Sequence, residues 1–137
     1  MVTKRKKKTP VNSKEAARVK ERLAEIEELF GRMPFVPQFL SRRPDIFLPY
    51  SDFSDVALFN PSHLDRKTTE LAALAAGAAL ASEHCLNIHI DAALDAGSTE
   101  DEVLEAMMLG AFMSLTRSQA VSLRKLDDAL KNRAAKK

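Results

Sequence analysis

The chain has 137 residues, of which 45% are hydrophobic and 29% are charged, so its length and composition suit one soluble globular domain. No apolar run reaches the ~20 residues of a membrane-spanning helix, and no apolar stretch follows the basic start as it would in a signal peptide. The single cysteine, Cys85, excludes an intrachain disulfide and fits a cytoplasmic location, which we expect for the protein.

The positive net charge comes from the N-terminus. Residues 4–8 read KRKKK, and without these five charges the formal net charge of +2 becomes −3. Because a block of like charges repels itself, residues 1–12 are predicted to form a disordered basic tail ahead of a single domain over residues 13–137. An arm for nucleic acid or another acidic surface is the alternative. No aromatic side chain is interspersed among the lysines, so base stacking is disfavoured and a nucleic-acid partner is not expected.

The first predicted helix runs from Ser13, a suitable N-cap, to Phe30, and Gly31 provides its stop signal. The next segment is interrupted by five prolines and predicts short helices, one of them from Pro44 toward Phe59. Pro49 is a point at which this helix can kink.

Aromatic residues are concentrated in this proline-rich part of the chain. Six of the seven phenylalanines lie between Phe30 and Phe59, beside the only tyrosine, Tyr50. Such a group predicts a wall of the core or a contact between subunits, and the lining of an apolar pocket is the alternative.

The most apolar helix is predicted from Asp65, its N-cap, to Ala81. Glu70 is the only charged residue between Thr68 and Ser82, so this helix is expected to be buried on every face. Ser82 can cap the next helix, which should end at Ala96 before Gly97.

Two more helices are predicted after Gly97. Thr99 and Glu102 have the spacing of a capping box. The helix that they start carries a wide stripe expected to face the core, which consists of Val103, Leu104, Met107, Met108, Ala111, Phe112 and Leu115. The last helix covers about Ser118 to Asn132 and has Leu123, Leu126 and Leu130 on one face. No alternating strand pattern occurs, so the sequence predicts an all-α bundle of about six or seven helices.

Cys85 is the candidate for chemistry, because it falls in the first turn of the helix that Ser82 caps. Free backbone N–H groups and the positive end of the helix dipole favour a thiolate there. His89 follows four residues later on the same face, whereas His84 points about 100° away. The alternative is a buried, inert thiol, since free cysteine is among the most buried residue types.

Glu70 is a second candidate whose position the sequence does not fix. It precedes Cys85 by fifteen residues and lies near the start of the apolar helix. If the two helices pack antiparallel, the starts of both are far apart unless the helices cross sharply or a subunit contact joins them. The alternative is a glutamate that only interacts with the dipole of its own helix.

The stretch LDRKTTELAALAAGAALASEHCLNIHIDAALDAGSTEDEV resembles the core of the carboxymuconolactone decarboxylase and alkylhydroperoxidase D superfamily. The shared features are the Leu-Asp-Arg start, the glutamate, Cys-x-x-x-His and the Ala-x-x-x-Gly ending, in that order. The resemblance extends over about residues 33 to 130. It implies an all-α bundle that assembles as trimers or hexamers, with active sites near the subunit contacts.

The peroxidase branch of this superfamily carries Cys-x-x-Cys-x-x-x-His, in which the second cysteine attacks peroxide and the first resolves the oxidised product. By this resemblance Cys85 matches the attacking cysteine, and His89, His84 and Glu70 match the proton-relay residues. Ser82 stands where the resolving cysteine would be, so a two-cysteine cycle within one chain is impossible. The decarboxylase branch lacks the cysteine pair and keeps the final histidine.

Three functions follow as hypotheses. The first is a single-cysteine thiol peroxidase that acts on a hydroperoxide and is reduced by an external thiol. The second is a cofactor-free lyase or isomerase on a small carboxylated lactone, in which His89 and Glu70 move protons. The third is a helical homo-oligomer without catalysis. No cofactor is expected, and a zinc site is disfavoured because His84 and Cys85 diverge on one helix.

Overall fold

The computed structural model describes residues 13–135, which form six α-helices and a short π-helical segment without any strand. This confirms the predicted all-α fold. The predicted basic tail over residues 1–12 lies outside the described residues. Two compact units divide at residue 59, one over residues 13–59 and one over residues 60–135. None of the helices described is both long and apolar enough to cross a membrane.

The first unit contains three helices: α1 (Ser13–Phe30), α2 (Phe35–Leu40) and α3 (Pro44–Ser54), which continues into a π-helical turn over Asp55–Phe59. Its core consists of Ile26, Phe47 and Leu48, surrounded by half-buried side chains of α1, α2 and the π-helical turn. Pro49 lies inside α3 on its exposed side and does not end the helix. Phe47 thus fulfils the predicted core role.

Other aromatic residues of the first unit remain at its surface. Phe35, Phe39 and Phe53 are all more than half exposed. The rings of Phe35 and Phe39 are tilted by 38° with centroids 5.7 Å apart, and the guanidinium of Arg42 lies 4.7 Å above the Phe39 ring. The predicted wall of the core is therefore limited to Phe47 and the half-buried rings of Phe30 and Phe59 that pack against it.

The second unit consists of α4 (Arg66–Ala79), α5 (Glu83–Asp95) and α6 (Glu100–Ala134). All three predicted N-caps are confirmed: Asp65 accepts from the Thr68 N–H at 2.7 Å, Ser82 accepts from the Cys85 N–H, and Thr99 forms a complete capping box with Glu102. The Thr68 N–H holds the pKa of Asp65 below its usual value, because it stabilises the carboxylate.

A tight turn joins α4 to α5 and makes them an antiparallel hairpin. The Ser82 N–H donates to the Gly77 carbonyl and the Ala81 N–H to the Ala78 carbonyl, which is the Schellman pattern. Ala81 occupies the left-handed position at φ 51°, where glycine is usual. At the end of α5, Gly97 takes the equivalent position at φ 85°, which confirms the predicted stop.

The core of the second unit lies between α4, α5 and α6 and consists of Leu74, Ala93 and Val103, with four half-buried apolar side chains around them. Gly110 of α6 lies so near α4 that a Cβ atom added to it would be 1.9 Å from the Ala75 carbonyl oxygen. The backbones of α4 and α6 therefore meet at this glycine.

Three expectations about the second unit were wrong. One helix, α6, runs without a break where two were predicted, because no glycine or proline occurs between Leu115 and Ser118. In its predicted core-facing stripe only Val103 is buried, whereas Leu104, Met108, Ala111, Phe112 and Leu115 are exposed. Ala72 and Ala76 are exposed on α4, so this helix is not buried on every face. A three-helix unit covers only one stripe of each helix.

Candidate active site

A buried carboxylate–imidazole pair joins α4 to α5. Glu70 lies in the second turn of α4 with 0% exposure, and His89 lies in the second turn of α5 with 9%. The Glu70 Oε2 and the His89 Nδ1 are 2.6 Å apart, a short hydrogen bond. In an antiparallel hairpin the second turns of two helices of this length can face each other, so the residues meet without a sharp crossing or a second subunit.

Arg66, which the sequence analysis did not single out, completes this group. It precedes Glu70 by one helical turn, and its Nη2 lies 2.7 Å from the Glu70 Oε1. The contact is an ion pair rather than an aligned hydrogen bond, since the Oε1 has no partner of hydrogen-bond geometry. The Arg66 side chain is 30% exposed, so it connects the buried carboxylate to the surface. The i, i+4 spacing of a cation and a carboxylate was the signal that could have identified it.

Cys85 lies nearer the turn of the hairpin than the Glu70–His89 pair does. It is half-buried in the first turn of α5, and its N–H donates to the Ser82 hydroxyl at 3.4 Å. A Cβ atom added to Gly77 of α4 would lie 3.2 Å from the Cys85 Cβ. The absence of a side chain at Gly77 therefore gives Cys85 its space against α4.

Cys85 and His89 share one face of α5, because four residues make about one helical turn. His84 is exposed in the first turn of the same helix, and His63 is exposed in the segment before α4. The fold thus brings Glu70 and His89 into contact, places Cys85 one turn from His89, and leaves His84 at the surface.

The Glu70–His89 contact sets the direction of a hydrogen bond once the carboxyl group is ionised. An ionised carboxylate has no hydrogen to donate, so beside it the His89 Nδ1–H is the donor and the Glu70 Oε2 the acceptor. A neutral imidazole with its hydrogen on Nδ1 has its lone pair on Nε2, the nitrogen that can act as a base. Within residues 13–135, no three histidine, cysteine, aspartate or glutamate side chains are grouped so as to hold a metal ion.

Comparison with known proteins agrees with this architecture. The model of the carboxymuconolactone decarboxylase family matches residues 44–128, which are more than half of the chain and include all of α4 and α5. No curated protein matches the sequence significantly. The protein belongs to the carboxymuconolactone decarboxylase family.

Proposed function

We propose that the protein is a thiol-dependent peroxidase of single-cysteine type, with Cys85 as the nucleophile. The observation that carries the proposal is the buried Glu70–His89 hydrogen bond one turn along α5 from Cys85. A base held in one tautomer next to a thiol at a helix N-terminus is the arrangement that activates a cysteine. Cys85 is also only half-buried, so a small substrate can reach it.

The cycle balances with one hydroperoxide and two external thiols. The Cys85 thiol gives its proton to the His89 Nε2, and the thiolate attacks one peroxide oxygen. The O–O bond breaks, the leaving alkoxide takes the proton from His89, and Cys85 becomes a sulfenic acid. One external thiol displaces water to form a mixed disulfide, and a second thiol releases Cys85 and leaves as the external disulfide. Ser82 cannot resolve the sulfenic acid, so the reductant is a separate molecule.

Trapping of the sulfenic acid tests the proposal. Treatment of the folded protein with hydrogen peroxide or an organic hydroperoxide in the presence of dimedone should label Cys85 stoichiometrically, as seen by mass spectrometry of the Cys85 peptide. The exposed His84 is a second candidate proton donor, and His84→Gln measures its share of the labelling rate. If Cys85 of the folded protein reacts with neither peroxide nor an alkylating reagent, the peroxidase proposal fails.

A cofactor-free lyase or isomerase on a small carboxylated lactone is the second candidate. It is favoured by the fact that the hydrogen bond of the site joins Glu70 to His89 and does not involve the thiol. In that case Cys85→Ser leaves turnover of the lactone intact while His89→Gln abolishes it. If neither substrate class reacts, the non-catalytic oligomer becomes the leading hypothesis.

We also propose that the protein acts as a homo-oligomer, a trimer or a hexamer. Large apolar side chains are exposed along α6, among them Leu109, Phe112 and Met113, each more than half exposed. A single chain that leaves such a stripe in water has a surface suited to a second copy. Sedimentation velocity at micromolar concentration should show the oligomer, and Phe112→Glu should shift the protein to smaller species. Ser118→Glu adds the same charge at an exposed polar position and is the control, and a wild-type monomer contradicts the proposal.

A further inference from the structure

The guanidinium of Arg66 contacts a carboxylate that has no exposure to solvent. Glu70 is completely buried, and its two oxygens contact different groups: Oε1 lies 2.7 Å from Arg66 and Oε2 lies 2.6 Å from His89. Removing a charge from water is costly unless an opposite charge compensates it. Arg66 supplies that charge from the same helix, one turn before Glu70.

We infer that Arg66 is a positioning residue that sets which nitrogen of His89 carries the proton. With Arg66 present, Glu70 stays a carboxylate and accepts from Nδ1, so the Nε2 of neutral His89 is unprotonated. This deepens the proposed function and depends on it for its catalytic meaning, because the unprotonated nitrogen is the one that takes the Cys85 proton. Arg66 itself touches neither the thiol nor a substrate in this scheme.

Removal of the Arg66 charge should make the Glu70–His89 pair take up one proton from solvent. If that proton goes to Glu70, the carboxylic acid donates to Nδ1 and the imidazole proton moves to Nε2. If it goes to His89, the ring becomes an imidazolium with protons on both nitrogens. Either distribution protonates Nε2, so the outcome at this atom does not depend on how the pair shares the proton.

Lys67 offers a matched control on the same turn of α4. Its Nζ lies 2.6 Å from the Glu102 carboxylate at the start of α6, and both side chains are more than a third exposed. Substitution of Lys67 therefore removes one positive charge beside Arg66 without removing a partner of Glu70.

The test is nitrogen NMR of the full chain labelled with ¹⁵N-histidine, at slightly alkaline pH. His63→Gln and His84→Gln assign the remaining signals to His89. In the wild type the His89 Nε2 should resonate as an unprotonated imidazole nitrogen, and in Arg66→Gln as a protonated one. Arg66→Lys should restore the wild-type spectrum, and Lys67→Gln should not change it.

The helical circular dichroism signal checks that the Arg66→Gln variant is folded. If it is not folded, Arg66→Met, which keeps the aliphatic part of the side chain, is used in its place. A protonated Nε2 in the wild type, an unprotonated Nε2 in the folded Arg66 variant, or the same change in Lys67→Gln overturns the inference. The NMR result does not require a reactive Cys85, so it can be obtained in a Cys85→Ser background even where the peroxidase proposal fails. Where both hold, Arg66→Gln lowers the rate of peroxide reduction about tenfold or more and Arg66→Lys recovers most of it.

Discussion

Replacement of His89 by glutamine is expected to slow the alkylation of Cys85 at neutral pH by about tenfold or more, which corresponds to ~1.4 kcal/mol. The helix N-terminus is unchanged in this variant, and it stabilises a thiolate by only about 0.3–1 kcal/mol. The larger part of the activation must then come from the imidazole one turn along α5. Glutamine is chosen because its amide can still donate to the Glu70 Oε2, so the buried carboxylate keeps a partner. Pseudo-first-order rates with iodoacetamide, followed by mass spectrometry, provide the measurement.

His63→Gln is the matched control for this experiment. It removes an exposed imidazole by the same substitution, outside α5 and ahead of α4. Its rate should stay within about twofold of the wild type, since this substitution changes neither α5 nor a partner of Glu70. Equal rates for His89→Gln and the wild type would contradict the role of His89 as base. Activation of the Cys85 thiol by the N-terminus of α5 alone would then be the remaining explanation.

The parts of the fold that local chemistry determines could be predicted from the sequence. Asp65, Ser82 and Thr99 each start the helix expected of them, because a side-chain oxygen that satisfies a free N–H is a property of a few neighbouring residues. Gly97 ends α5 for a similarly local reason, its positive φ. The sequence also predicted Glu70, Cys85 and His89 as candidate site residues, and the structure brings two of them, Glu70 and His89, into contact.

The remaining features depend on contacts that local sequence does not encode. The Glu70–His89 pair requires the tight Schellman turn at Ala81, a residue that does not usually take the left-handed conformation. Arg66 is a first-turn cation of α4, and its role depends on the burial of Glu70, which only the packing of the folded chain determines. The periodicity of α6 correctly indicated an apolar face but could not tell burial within the chain from exposure, and so Phe112 was placed in the core.

Gly110→Ala is expected to destabilise the protein by about 3 kcal/mol or more, because the new Cβ would lie 1.9 Å from the Ala75 carbonyl oxygen and 2.7 Å from its carbon. These are backbone atoms of α4, so no flexible side chain can turn away and the two helices must separate. The same substitution in an ordinary helix interior stabilises by roughly 0.5–1 kcal/mol, and the sign is therefore reversed here. Thermal unfolding at one fixed protein concentration should show a midpoint lower by at least ~10 °C, at roughly 4 °C per kcal/mol for a chain of this size.

Ala111→Gly provides the control for the close approach of α4 and α6 at Gly110. Ala111 is the next residue of α6 and is exposed, so removal of its methyl group costs only the helix-propensity difference of about 0.5–1 kcal/mol. Addition of a methyl group at position 110 should thus lower the free energy of unfolding more than removal of a methyl group at position 111. A Gly110→Ala protein as stable as the wild type would mean that α4 and α6 are not in backbone contact at Gly110. The position of α4, which carries Arg66 and Glu70, would then have to be maintained by the hairpin with α5 and by the side-chain contacts with α6 around Leu74 and Val103.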